Sequence, residues 1–234
     1  MRQTWNELLF IHWPLPAAAL RALVPPMLSL DTYDGQAWIG VVPFWMSGVR
    51  PRGVPNIPGF STFPELNVRT YVTVEDKPGV YFFSLDAANP LAVFGARVGF
   101  HLPYYQAIMA VDHVGDWIHY RSQRVRQDAR AARFAARYQP TGAPFRAAVG
   151  SLESFLTDRY CLYAVDSAPR VYRCEIDHPK WELRPAELEI AANTMTRWLG
   201  LELPDTQPLL HFSQRQDVVN WLPERIASFG RRAA

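Results

Sequence analysis

Proline breaks this chain into pieces too short for long helices. Twenty prolines stand among 234 residues, most of them between brief apolar runs. A proline inside a helix removes a hydrogen bond and clashes with the preceding turn, so the spacing favours strands and loops. Period-two alternation predicts strands at 6–13, 28–32, 36–47, 65–75, 79–86, 105–112, 116–124, 132–139, 159–166, 169–177 and 208–221. VDHVGDWIHYRSQR reads as a hairpin turning at Val114-Gly115-Asp116. Short helices are predicted at 16–25, with Pro16 in the first turn, and at 89–100, with Asn89 as N-cap and Pro90 behind it. A third is predicted at 151–160, capped by Ser151 with Glu153 in its first turn. AELEIAANTMTRWLGL, residues 186–201, suits strand or helix and is read as helix. The stretch from Ser47 to Phe60 is stiffened by proline and reads as an ordered lid or wall. With no repeat and no linker, the expectation is one β-rich domain over residues 1–234, built on a curved, mostly antiparallel sheet.

Charge and composition narrow the function classes. A net charge of +2 with no basic block argues against nucleic acid as a partner. No apolar run reaches the length of a membrane span, and His12 and Trp13 interrupt the apolar N-terminal stretch, so neither a membrane protein nor a signal peptide is expected. Cys161 and Cys174 are too few for a disulfide framework, which fits a cytoplasmic protein. A tight turn at Asp166–Pro169 would set these two cysteines directly opposite each other, as packed free thiols. Lysine chemistry has only Lys77 and Lys180 to draw on.

The motifs of nucleotide, zinc and serine-hydrolase sites are missing, and the six histidines show no ligand-like spacing, so neither metal nor cofactor is expected. The informative segment is FPELNVRTYVTVE, residues 63–75. Leu66, Val68, Thr70, Val72 and Val74 share one face, and Glu65, Asn67, Arg69, Tyr71 and Thr73 share the other. Glu65 and Arg69 lie about 13 Å apart along an extended strand, too far for a local ion pair. The polar face meets either solvent or an enclosed space. The next strand, VYFFSLDA, is apolar on both faces, which favours a sheet covered on both sides and hence enclosure. Tyr104 and Tyr105 follow Pro103 before another strand, either as amphipathic packing at a rim or as site residues. Arg159 and His178 lie near two further junctions.

Seven segments, HWPLPAAALRALVPP, DGQAWIGVVPFWMSGVRPRG, FPELNVRTYV, GVYFFSLDA, GARVGFHLPYYQAIM, LESFLTDRYCLY and LLHFSQRQDVVNW, resemble in wording and order the YqjF-like family. That bacterial family of unknown function is placed in the acetoacetate decarboxylase-like superfamily. The resemblance implies a closed, cone-shaped, mostly antiparallel β-barrel of α+β type, with a few short helices and a central cavity. Decarboxylases of that superfamily use a Schiff-base lysine beside a second lysine, after a Gly-aromatic-Pro stretch. Here Gly99-Phe100-His101-Leu102-Pro103 leads to Tyr104 and Tyr105, and a phenol forms no imine. The superfamily's cavity carboxylate matches Glu65. Lys180 is the one replacement amine to consider, at a place where the family carries proline.

The expected site therefore has Glu65, Tyr104 and Tyr105 as catalytic groups and Asn67, Arg69, Arg159 and His178 as ligand-binding groups, with no Schiff base. Its partner is a small anionic or carbonyl-bearing organic molecule, handled by lyase- or isomerase-type acid–base chemistry if it is turned over. The alternatives are a non-catalytic binding or sensing module and an oligomeric structural protein. The aromatic surplus serves a homo-oligomer interface as readily as a pocket.

Overall fold

The computed structural model describes residues 1–50, 53, 61–90, 93, 99–125, 128 and 130–226. Strand β1 (Arg2–Pro16) runs into α1 (Ala17–Arg21), followed by β2 (Ser29–Leu30), β3 (Gln36–Arg50), β4 (Phe63–Val74) and β5 (Lys77–Ala87). Next come β6 (Tyr104–Val114), β7 (Trp117–Arg124), β8 (Arg133–Pro140), α2 (Leu152–Thr157), β9 (Cys161–Val165) and β10 (Val171–Asp177). The chain ends in β11 (Ala186–Asn193), a 3-10 turn (Arg197–Leu199), β12 (Leu209–Asn220) and β13 (Glu224–Arg225).

The pairings close on themselves. β5 pairs with β9, β9 with β10, β10 with β12, β12 with β1, β1 with β3, β3 with β4, and β4 with β5 again. All are antiparallel except β5–β9. From β5 a parallel pairing leads out to β6, and β7, β8 and β11 extend that wing. The wing packs on one face of the ring wall. Ile118, Tyr120, Phe134 and Tyr138 cluster with Leu66, Val68, Val72 and Val74 of β4, so the apolar face of β4 is covered by the wing. The opposite face is buried too, with Glu65, Asn67, Arg69 and Tyr71 all under 9% exposed. This is why VYFFSLDA carries apolar residues on both sides: each face of the ring wall has something packed against it.

A β-bulge refines that picture. β4 and β5 pair as Glu65↔Ala87 and Asn67↔Leu85, then skip Phe83 to pair Arg69↔Phe82 and Tyr71↔Val80. One extra residue on β5 reverses its facing parity. Leu85, Phe82 and Val80 thereby share the face of Glu65 and Arg69, while Phe83 turns toward the wing.

Two expectations fail. Residues 186–201 are not helical: β11 pairs with β8 through a one-residue shift between Ile190 and Ala192, and only Arg197–Leu199 makes a short 3-10 turn. Alanine and glutamate favour a helix by tenths of a kcal/mol, whereas an open β8 edge offers a full ladder and the Arg137–Glu189 and Gln139–Glu187 cross-strand contacts. The cysteines are not opposed either, since Cys161 faces Glu175 and Cys174 faces Leu162. The turn is one residue longer than expected, because the Asp166 carboxylate accepts the N–H groups of Ala168 and Arg170. A one-residue shift changes every cross-strand partner. Both thiols are free and buried. Titration with a thiol reagent should find two reactive groups after denaturation and almost none in the native state, since burial pushes both thiols upward.

The short helices at 16–25 and 151–160 form as one-turn pieces, and Ser151 Oγ accepts the Ser154 N–H as the cap. Most of the expected helix 89–100 and most of the expected loop 47–60 lie outside the described residues, although residues 47–50 continue β3. Among the described residues no helix is long and apolar enough to cross a membrane.

Candidate functional site

The polar face of β4 borders a pocket of about 330 Å³. Glu65, Asn67, Arg69, Tyr104, Arg159 and His178 all line it, among walls that are mainly aliphatic and aromatic. Glu65 is 3% exposed, and Tyr104 Oη donates to its Oε2 at 2.9 Å. Asn67 also hydrogen-bonds the carboxyl. From the wing, Tyr120 donates to the backbone oxygen of Glu65 at 2.6 Å and to that of Phe44 at 3.1 Å, fixing the strand position from behind.

Burial pushes the Glu65 carboxyl from 4.5 up to about 8; the Tyr104 and Asn67 hydrogen bonds oppose the shift, and the nearby Asp86 adds to it. Asp86 itself is locked in a bidentate pair with Arg124, at 2.7 and 2.9 Å, with both side chains fully buried. Between 4.5 and about 8 the folded protein holds a proton on Glu65 that the unfolded chain has released. Stability from this group is therefore complete below 4.5 and falls as pH rises toward 8, at up to about 1.4 kcal/mol per pH unit. The melting temperature of Glu65→Gln, relative to wild type, should climb steadily from about pH 5 to about pH 8. Parallel pH curves for the two proteins would show that Glu65 ionises normally.

Arg69 sits at the far end of the strand's polar row. Its Nη2 donates to Leu156 O at 3.2 Å and to Tyr71 Oη at 3.4 Å, and its guanidinium lies 5.1 Å from the Phe10 ring. Among the described residues no carboxylate pairs with it, and its Nε has no protein partner. An arginine only 8% exposed and lacking a carboxylate partner is costly by itself. Arg159 differs: Asp31 neutralises it at 2.7 Å, and its Nε donates to Phe155 O. Both arginines thus use the carbonyl end of α2, as does Trp181, whose Nε1 donates to Thr157 O at 2.8 Å. His178 stacks on Tyr160 at 4.7 Å, and burial moves its pKa down, favouring the neutral ring.

Tyr105 does not join this group. Adjacent strand residues point to opposite faces, so Tyr104 enters the pocket while Tyr105 turns to the wing. There its ring lies 4.1 Å from the Arg124 guanidinium and its hydroxyl receives Arg130. Neither lysine lines the pocket: Lys180 is exposed and Lys77 pairs with Glu175 at 2.6 Å. Two supporting residues, His12 and Asp86, were not anticipated from the sequence. His12 Nε2 lies 2.6 Å from Tyr71 Oη, and Tyr71 donates to Leu156 O, so this pair buttresses the Arg69 end. Asp86 loads charge near Glu65. The only sequence signal for His12 and Asp86 is a polar residue inside an otherwise apolar strand.

A model of the DUF2071 family, described as an uncharacterized conserved protein, matches residues 2–217. The uncharacterized protein YqjF of Bacillus subtilis (strain 168) is 52% identical over 221 residues, covering 94% of this chain and 90% of the relative. An acetoacetate decarboxylase from Legionella pneumophila has a similar structure, with a TM-score of 0.66 at 13% identity over 98% of this chain and 88% of that one. The enduracididine biosynthesis enzyme MppR, solved in complex with pyruvate, gives a TM-score of 0.67 at 11% identity, covering 98% of this chain and 91% of its own. At these identities the solved structures establish an acetoacetate decarboxylase-like fold and no more.

Proposed function

We propose, from the premise that the chain belongs to the DUF2071 family, that its ring of strands is a barrel enclosing a binding pocket. In this reading a small oxo acid binds there and exchanges a proton with Glu65. One observation carries it: a buried carboxyl hydrogen-bonded to a tyrosine at 2.9 Å, in the same pocket as a buried arginine that lacks a carboxylate. The pyruvate complex of MppR supports the ligand class. Arg69 would take the ligand carboxylate through its planar fork. Glu65 in its ionised form would accept the proton from the carbon next to the carbonyl. The C–H electron pair then moves into the new C=C bond, and the carbonyl pair moves onto oxygen as an enolate. Protonation of Glu65 releases the Tyr104 hydroxyl from a carboxylate, allowing it to donate to the enolate oxygen. A base whose pKa lies near the working pH suits this transfer. An imine route is disfavoured because neither of the chain's two lysines borders the pocket.

The mainly apolar walls favour a second reading, a binding or sensing module without turnover. Proton NMR of 2-oxo acids in D2O separates the two. Catalysed loss of the proton signal beside the carbonyl supports the enzyme, whereas saturable binding with no exchange above the buffer rate leaves only the binding module.

A further inference from the structure

The pocket offers more room and more aromatic surface than a three-carbon acid can use. A volume of about 330 Å³ is at the lower end of the range for pockets that bury whole organic ligands. A three-carbon oxo acid has six non-hydrogen atoms and would fill roughly half of it, even at one liquid-water volume per atom.

Behind the lining, the buried Phe10 lies 5.1 Å from the Arg69 guanidinium and packs edge-on to Trp181, an aromatic residue of the pocket wall, at 4.9 Å. Trp181 stacks on Trp5 at 5.9 Å, and Trp5 meets Phe44 at 5.8 Å. The Trp181 N–H is committed to Thr157, so its ring faces act as apolar surface. Phe82 adds to the lining next to Arg69, its partner across the bulge.

The charge pattern is equally specific. Arg159 is neutralised by Asp31, and Glu65 and His178 are both shifted toward their neutral forms. Among the described lining residues Arg69 remains the one side-chain cation without a carboxylate partner, and the Met1 ammonium donates to the backbone oxygen of Asn220. The two buried polar atoms lacking a protein partner on β4, Arg69 Nε and Asn67 Oδ1, lie on the same face. A second carboxylate set against the aliphatic and aromatic walls would be desolvated with no side-chain cation beside it, at a high cost.

We infer that the ligand is a monocarboxylate with a bulky apolar or aromatic body. Its carboxylate sits at Arg69 and its body lies against Trp5, Phe44, Phe82 and Trp181. This rests on the Arg69 assignment made above and names the class of acid.

Isothermal titration of the wild-type protein with straight-chain 2-oxo acids of three to eight carbons, phenylpyruvate and 2-oxoglutarate tests it. Affinity should rise about fourfold per added methylene until the pocket is full. Phenylpyruvate should bind about a hundredfold more tightly than pyruvate, and 2-oxoglutarate at least about tenfold more weakly than the five-carbon monoacid. A flat series that still requires Arg69 overturns the apolar body and leaves the oxo-acid reading standing. Equal binding of 2-oxoglutarate overturns the single-charge assignment. Arg69→Met should weaken every acid of the series, and absolute affinities that stay at the wild-type values in that variant overturn both the carboxylate placement here and its source above.

Discussion

Glu65→Gln should reduce exchange of the proton beside the carbonyl of a bound 2-oxo acid by about a hundredfold to ten-thousandfold, the usual worth of a positioned acid–base group. Glutamine keeps the shape and can still accept the Tyr104 hydroxyl, so the loss falls on proton transfer and not on folding. The pH profile carries the same information. The free-protein rate constant at low substrate should rise with pH through a single ionisation near 8, because the proposed base is the ionised form of Glu65, whose carboxyl burial holds at about 8. Exchange that is retained in Glu65→Gln would place the base elsewhere, and a rise near 4.5 would show a base of ordinary carboxylate pKa in place of the buried one. Tyr104→Phe should slow exchange less, since it removes one hydrogen bond to the enolate oxygen and leaves the base in place.

Arg69→Met should abolish most carboxylate binding with little cost to the empty protein. Removing one member of a buried charged contact costs about 2–5 kcal/mol, or roughly thirtyfold to several thousandfold in affinity. Without ligand the balance differs, because Arg69 is buried with no carboxylate to offset its desolvation. A methionine of similar length preserves the contact with Phe10 while removing the charge, so the unliganded variant should lose no more than about 1 kcal/mol. Thermal melts with and without 2-oxo acids would read both effects. A strongly destabilised empty variant would make Arg69 a structural cation. Ligand stabilisation equal to wild type would remove it from the binding role.

Much of this site was legible because a strand alternates. Period two alone puts Glu65, Asn67 and Arg69 on one face, and the double apolarity of VYFFSLDA turns that face away from solvent. Tyr104 and Tyr105 read from the sequence as the approach to a strand, where both could face the pocket, but β6 begins at Tyr104, so alternation sends only one of them there. Other features depend on contacts that local sequence does not encode. The bulge opposite Arg69 shows only in the pairing of β4 with β5, and the longer Asp166 turn moved the cysteine register by one. The helical preference of AELEIAAN yielded to the open edge of β8. His12 meets Tyr71 across a contact 59 positions away, and a Cβ at Gly40 would sit tightly against the His12 ring, at 3.1 Å. Separations of that kind leave no periodic trace.

The most direct measurement is a carbon-13 NMR titration of the Glu65 side-chain carboxyl, identified as the resonance missing from the Glu65→Gln spectrum. The buried pairing with Tyr104 predicts a midpoint near 8 in the empty protein. A midpoint in the ordinary carboxylate range near 4.5 would contradict it and withdraw Glu65 as the acid–base group of the pocket.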